Sequence, residues 1–325
     1  MGTSSASSDP VAPEFLAAFR AAAAPGDTVS FERFMELALF DPVAGYYRRP
    51  RVRVGRTPGT DFFTAAHTGP GFGEMVAAAC VSRLAGRDPR THTFVEIGAE
   101  PGQCVLDGVA HPFGAVRAVR LADPLELSGP CVVFSNELFD AQPCRRTVFS
   151  QGRWHEIGVR LLGDRLEEVH WASDIAEPGS EGYRFDRPIA AARLAAAIAA
   201  QPWQGLFVAI DYGKTEAELR EHSPGGTVRA YHRHRQTPDL LARPGEQDLT
   251  CHICWDWLEA ALQGHGFEDL RLEFQESFFI RHAGGYLEAA ANAEAGRLSA
   301  RKLGLFQLLH PSQMGQKFQV LSARR

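Results

Sequence analysis

The chain has 325 residues, 45% of them hydrophobic and 22% charged, and a formal net charge of -5. This balance belongs to ordinary globular proteins long enough for one large or two modest domains, and it argues against a dedicated nucleic-acid binder, whose footprint is a strongly basic domain. The six cysteines lie in apolar or mixed contexts that suit reduced cytoplasmic thiols, and the most apolar run, Ala190 to Ala200, is broken by Arg193 and falls short of the roughly 20 residues a membrane span needs.

Residues 1–29 read as a flexible tail with an Ala-rich helix, lacking the basic, apolar pattern of a targeting peptide. Ser30, a side chain suited to capping, precedes Phe31, Phe34, Met35, Ala38 and Leu39 at helical spacing, which predicts a helix to about Phe40 that Asp41-Pro42 stops. Gly45-Tyr46-Tyr47 leads into an arginine-rich loop, Arg48 to Arg56, read as solvated, and a second helix runs from Gly73 through Leu84.

Phe94 to Ile97 is a short apolar strand that enters the turn Gly98-Ala99-Glu100-Pro101-Gly102 and then a predicted helix. Glycine at such a turn tolerates positive φ and lets the backbone approach a ligand, and a helix behind it offers unpaired N–H groups to a carboxylate or phosphate. Taken alone, such a turn is common in α/β sheets. Further strands are predicted near Val116 to Leu121, at Cys131 to Phe134, Leu206 to Ile210 and Asp269 to Phe274, and at Phe318 to Ser322, which is expected to close the sheet edge. Alternating segments between Val148 and Ile189 mark a β-rich insertion, extended over 148–200 by an Ala-rich helix. Trp255 to Gly264 reads as a helix, and Phe306, Leu308 and Leu309 as the core face of a late one.

Continuous apolar strands separated by helical patterns predict an α/β, Rossmann-like, mostly parallel sheet with helices on both faces, whose ligands bind at the carboxyl ends of the strands. The polar endings at Gly98, at Ser135-Asn136-Glu137-Leu138-Phe139-Asp140 and at Asp211-Tyr212-Gly213 are expected to face one crevice. Two carboxylates and an amide at a strand's carboxyl edge can hold a cationic or hydrogen-bonding substrate beside a cofactor, and Asn136 and Glu137 are the candidate pair. Cys251-His252-Ile253-Cys254, with His232 and His234, contains zinc-ligand residue types. No second Cys-x-x-Cys pair follows, so no metal site is predicted.

A wider pattern joins these pieces. Phe34 to Pro42 with Gly45-Tyr46-Tyr47, Asp61-Phe62-Phe63-Thr64 with Phe72-Gly73-Glu74, Glu96-Ile97-Gly98, Ser135 to Ala141, Ile210 to Gly213, Arg229-Ala230-Tyr231 with His234, Asp248-Leu249-Thr250 and Gln313-Met314-Gly315 follow in order. This series resembles the MidA-like family of class I S-adenosylmethionine-dependent methyltransferases, which includes the mitochondrial arginine methyltransferase that assists assembly of respiratory complex I. The resemblance implies one methyltransferase-like domain over 30–325, with 30–90 as its lead-in, and S-adenosylmethionine as cofactor. It implies cofactor contacts at Glu96, Gly98, Ala99, Glu100 and Gly102, with Asp61, Phe62 and Thr64 nearby. Asn136 and Glu137 would flank the reaction centre, and Glu137, Asp140 or Asp211 would accept a proton. The implied methyl acceptor is a protein side chain such as arginine. A homodimer, no nucleic-acid or membrane partner and a cytoplasmic location complete the expected picture.

The chain departs from the family pattern at two places. Glu100 replaces the middle glycine of a Glu-x-Gly-x-Gly-x-Gly turn, which sets an anion close to where the cofactor's own carboxylate should sit. Only Gln103 to Pro130 separates the turn from the next family strand, an interval where the family pattern holds two further strands, a helix and an acid for the cofactor's ribose. One strand fits there, and Asp123 or Glu126 are the acids available. These departures keep a second reading open, a catalytically impaired methyltransferase-fold protein acting as a binding or assembly factor.

Overall fold

The structure, a computed structural model, describes residues 11–23, 26–49, 53, 60–61, 65, 69–296 and 299–325. The chain divides into two units that interleave along the sequence.

The sheet unit comprises Thr64–Phe139, Arg193–Gly213 and Trp255–Arg325. Its six strands are β1 (Thr93–Ile97), β2 (Ala115–Val119), β3 (Gly129–Asn136), β4 (Trp203–Asp211), β5 (Glu268–Phe274) and β6 (Gln319–Arg324). They lie in the order β5-β6-β4-β3-β1-β2. The strands β2, β1, β3 and β4 run parallel, whereas β6 is antiparallel to both β4 and β5. Among the described residues, the α-helices that lie wholly within this unit are α1 (Pro70–Arg83), α2 (Trp255–Gln263), α3 (Gln275–His282), α4 (Gly284–Ala293) and α5 (Ala300–Leu309).

Because side chains alternate along a strand, Phe94, Val132, Phe134, Val208 and Val320 share one face, where they pack with Phe72 and Met75 of α1, Phe278 and Phe279 of α3 and Leu308 of α5. On the opposite face Val95, Val133, Phe207 and Leu321 are buried as well. Burial on both sides explains the continuous apolar runs in the sequence.

The final strand departs from expectation. Instead of closing the edge, β6 inserts between β4 and β5, because Val320, Leu321 and Ala323 are apolar on both faces and fully buried, while β5 has no buried position and takes the edge. Phe306 departs too. Leu308 enters the core, but Phe306 is 56% exposed and lies against the His310 ring, with centroids 4.5 Å apart.

The second unit comprises Met1–Phe63, Asp140–Ala192 and Lys214–Cys254. Ser30 Oγ accepts the Arg33 N–H at 3.1 Å and caps the helix Phe31–Phe40. Within the stretch read as a tail, Pro13–Ala22 is helical and buries Phe15 and Phe19, and Thr28–Ser30 is a strand. That strand pairs antiparallel with Arg153–Leu162 of the insertion, Val29 opposite Val159. The lead-in and the insertion therefore share one core, which joins Phe15, Phe31 and Phe34 to Val159, Leu161 and Leu166.

The arginine-rich loop is not uniformly solvated. Arg53 is buried and its guanidinium lies 5.4 Å from the Tyr47 ring centroid and 5.8 Å from that of Tyr46. Stacking on tyrosine lets an arginine stay charged in a sheltered place. Among the described residues, no helix is long and apolar enough to cross a membrane.

Candidate active site

The turn after β1 is built by local chemistry. Gly98 has φ of 87°, and its N–H donates to Val119 O at the end of β2, 2.9 Å away. A Cβ there would come within 2.9 Å of Leu138 Cδ1, so both the dihedral and the space require glycine. The predicted helix behind the turn does not form. Among the described residues between Ile97 and Gly129 the chain makes β2 and turns, with no helix. Pro101 and Gly102, the latter with φ of 74°, sit at the second and third positions of a turn that the Gln103 N–H closes onto Glu100 O at 3.1 Å. This is the residue pattern of a type II turn, and it bends the chain away from a helical path.

Glu96 then holds the loop in place. Its Oε2 accepts the Val105 N–H at 2.6 Å, and Asp107 Oδ2 accepts the Cys104 N–H at 2.7 Å. Burial raises the Glu96 carboxyl above its usual range although the Val105 N–H and the Cys104 thiol favour its charge. Burial and this neighbouring carboxylate push the Cys104 thiol up to about 12. A Cβ on Gly73 of α1 would come within 2.1 Å of Val105 O, so the loop lies directly on that helix. Glu100 is half-buried at the rim of the turn.

The carboxyl end of β3 lies beside this turn. Asn136 is paired in register with Ile210 of β4, and the next residue, Glu137, adopts a left-handed conformation with φ of 52°. A non-glycine residue in that region is uncommon and is a frequent mark of functional sites. The Glu137 N–H donates to Ile210 O at 2.9 Å, and Asn136 Nδ2 donates to Glu137 Oε1 at 2.9 Å. Asn136 Oδ1 is buried and accepts no hydrogen bond. Asp211, at the end of β4, is fully buried; its Oδ2 accepts the Phe139 N–H and its Oδ1 the Tyr212 N–H, each at 2.8 Å.

The sheet unit thus brings together the Gly98–Gly102 turn, Asn136, Glu137 and Asp211. The buried acceptor on Asn136 and the exposed backbone at Gly98 fit a ligand that carries N–H donors and needs close backbone approach. Leu138 and Phe139 join the candidates: Leu138 packs on Gly98, and Phe139 fixes the loop through its N–H. Their apolar side chains carry no chemical signal in a sequence, and their place beside Asn136-Glu137 was the available clue.

Two predicted residues belong to the other unit. Asp61 is buried and accepts the Tyr46 hydroxyl at 2.8 Å and the Arg233 N–H at 3.0 Å. Asp140 is buried and its carbonyl accepts the Cys251 N–H at 2.8 Å. Phe62 and Thr64 lie outside the described residues. Cys251 and Cys254 are buried free thiols, and among the described residues no group of His, Cys, Asp and Glu is arranged to hold a metal ion.

The fold has clear relatives. A protein from Burkholderia thailandensis crystallised with S-adenosyl-homocysteine superposes with a TM-score of 0.81 at 24% identity, covering 97% of this chain and 94% of that one. A native structure from the same organism gives a TM-score of 0.78 at 23% identity with the same coverage. At these identities the likeness shows the fold. No curated protein matches the sequence. Residues 114–271 match the family described as "Putative S-adenosyl-L-methionine-dependent methyltransferase". The glycine turn and the sheet order therefore occur in a chain whose central part, residues 114–271, is similar to that family of S-adenosylmethionine-dependent methyltransferases and whose fold is that of the Burkholderia proteins.

Proposed function

We propose that this chain is an S-adenosylmethionine-dependent methyltransferase that acts on a protein side chain, an arginine, presented to Asn136 and Glu137. The observation that carries the reading is Glu137, held left-handed at the end of β3 with Asn136 Nδ2 on its carboxylate and the Gly98 turn packed beside it through Leu138.

Gly98, Ala99 and Gly102 supply the backbone, and Asn136 Oδ1 the acceptor, that would hold the cofactor. When bound, S-adenosylmethionine supplies a methyl group on a sulfonium, transferred by in-line displacement, so the protein contributes mainly positioning and electrostatics. Glu137 orients a guanidinium through charge-assisted hydrogen bonds. Because that guanidinium is protonated in water, a proton must leave as the new N–C bond forms, and Glu137 receives it. Both Asp211 oxygens already hold backbone N–H groups, so Asp211 serves as a positioning residue for the loop. The six free thiols favour a cytoplasmic, reducing location.

One observation favours the alternative of a binding or assembly factor. The turn lacks a helix N-terminus behind it and carries Glu100 at its rim, which reduces the positive potential offered to a carboxylate. Calorimetry with S-adenosylmethionine and methylation of an arginine peptide test the reading. Expected results are cofactor binding that Glu137→Gln leaves unchanged, with methyl transfer falling at least about 100-fold. Absence of cofactor binding would leave the assembly reading; transfer undiminished in Glu137→Gln would overturn the role of that carboxylate.

A further inference from the structure

A cleft of about 650 Å3 runs along α1 in the sheet unit, and none of the residues at the Gly98 turn or at Asn136-Glu137 lines it. Ala77, Ala78 and Val81 form an apolar floor, and Ser82 and His282 stand at one end. Glu74 stands at the other, eight residues or about 12 Å along the helix, where its Oε2 accepts from Tyr286 and Arg301, each at 2.7 Å.

Ser82 Oγ lies 3.3 Å from His282 Nδ1, and His282 Nε2 lies 3.4 Å from Glu273 Oε2. The His282 and Glu273 side chains are only 9% and 8% exposed, and both facing atoms are buried without a hydrogen bond. A proton on Nε2 directed at Glu273 satisfies this pair with a small rotation and leaves the Nδ1 lone pair facing Ser82. Arg281 bonds the other Glu273 oxygen and holds that carboxylate. Burial lowers the proton affinity of His282 against the pull of Glu273, which suits a neutral base. One residue after His282, past the N-cap Ala283, helix α4 begins without a side-chain cap. Its first turn presents backbone N–H groups, and Gly285 and Tyr286 of that turn line the cleft. Such donors can stabilise an oxyanion.

We infer that Ser82 and His282, with Glu273 as positioning residue, form a second catalytic site that hydrolyses esters of short apolar acyl groups. Ser82 Oγ bonds to the ester carbonyl carbon as its proton passes to His282 Nδ1. Collapse breaks the bond to the alcohol oxygen, and the alcohol leaves with that proton. Water then adds to the acyl carbon, its proton passes through Nδ1 back to Ser82 Oγ, and the carboxylic acid departs.

The test uses the full chain with p-nitrophenyl butyrate and, separately, a fluorophosphonate probe followed by peptide mass mapping. The expected result is a single adduct on Ser82 and hydrolysis that falls at least about 100-fold in Ser82→Ala. Glu273→Gln should lower kcat with little change in KM, as a positioning role requires. Ser82 is exposed, so Ser82→Ala keeps the fold, which circular dichroism verifies. No adduct on Ser82, or hydrolysis equal in Ser82→Ala and the unaltered chain, overturns the inference.

Discussion

The fully buried carboxylate of Asp211 accepts the backbone N–H of Phe139 at 2.8 Å, so the end of β4 anchors the loop that leaves β3. Glu137 and Leu138 lie between that anchor and the last residue of β3. Their positions, against Ile210 O and against Gly98, depend on where Phe139 is held.

Asp211→Asn keeps the shape but weakens two charge-assisted bonds. Stability in urea should fall by about 2 kcal/mol, and methyl transfer should fall by more than stability explains, because Glu137 loses its fixed position. Turnover measured well below the unfolding midpoint checks this; unchanged kcat would show that the loop is held from elsewhere.

Gly98→Ala places a methyl group against Leu138 Cδ1 at a φ of 87°. The expected cost is about 1–3 kcal/mol, with weaker cofactor binding. The double variant Gly98→Ala/Leu138→Ala removes the contact but retains the dihedral strain. Comparing both by thermal unfolding separates the two terms, and equal losses would assign the whole effect to φ.

Glu100 brings a negative charge to the turn expected to meet the cofactor's carboxylate. Glu100→Gly and Glu100→Gln should both tighten cofactor binding in a calorimetric titration, since like charges repel and the repulsion weakens with salt. Identical affinities in all three proteins, at low and high salt, would place the carboxylate outside the field of the ligand.

Asp248 gives the second unit a pH signature. Burial, reinforced by Asp61 and opposed by the Tyr47 hydroxyl, raises its carboxyl from 3.8 to about 6. The folded state therefore binds the proton more tightly than the unfolded chain. That stabilisation is fully present below 3.8 and is lost as pH rises through about 6. Asp248→Asn, which does not ionise, should raise the melting temperature relative to the unaltered chain at about pH 7.5 but not at about pH 4, by an amount equivalent to at most about 3 kcal/mol. A shift of equal size at both pH values would contradict the assignment.

Much of the fold was legible because its signals are local. Ser30 ahead of a helical apolar period caps the helix it predicts; the apolar runs at Phe94, Cys131 and Leu206 become parallel strands whose polar ends carry Gly98, Asn136 and Asp211. The helix expected after Gly102 failed because Pro101-Gly102 closes a turn, and the downstream chain is then held by Glu96 and by contact with Gly73. Neither partner is visible in the local pattern.

The sequence by itself determined which residues stand at the strand ends and that a glycine turn precedes them, because periodicity, capping and positive φ are properties of neighbours along the chain. Only the tertiary structure decided that β6 lies inside the sheet, that Thr28–Ser30 joins the insertion, that Asp211 spends both oxygens on backbone N–H groups, and that Ser82, Glu273 and His282 meet across nearly two hundred residues. Those outcomes depend on which buried polar groups find partners and which apolar faces find cover, and that is settled only when distant segments pack together.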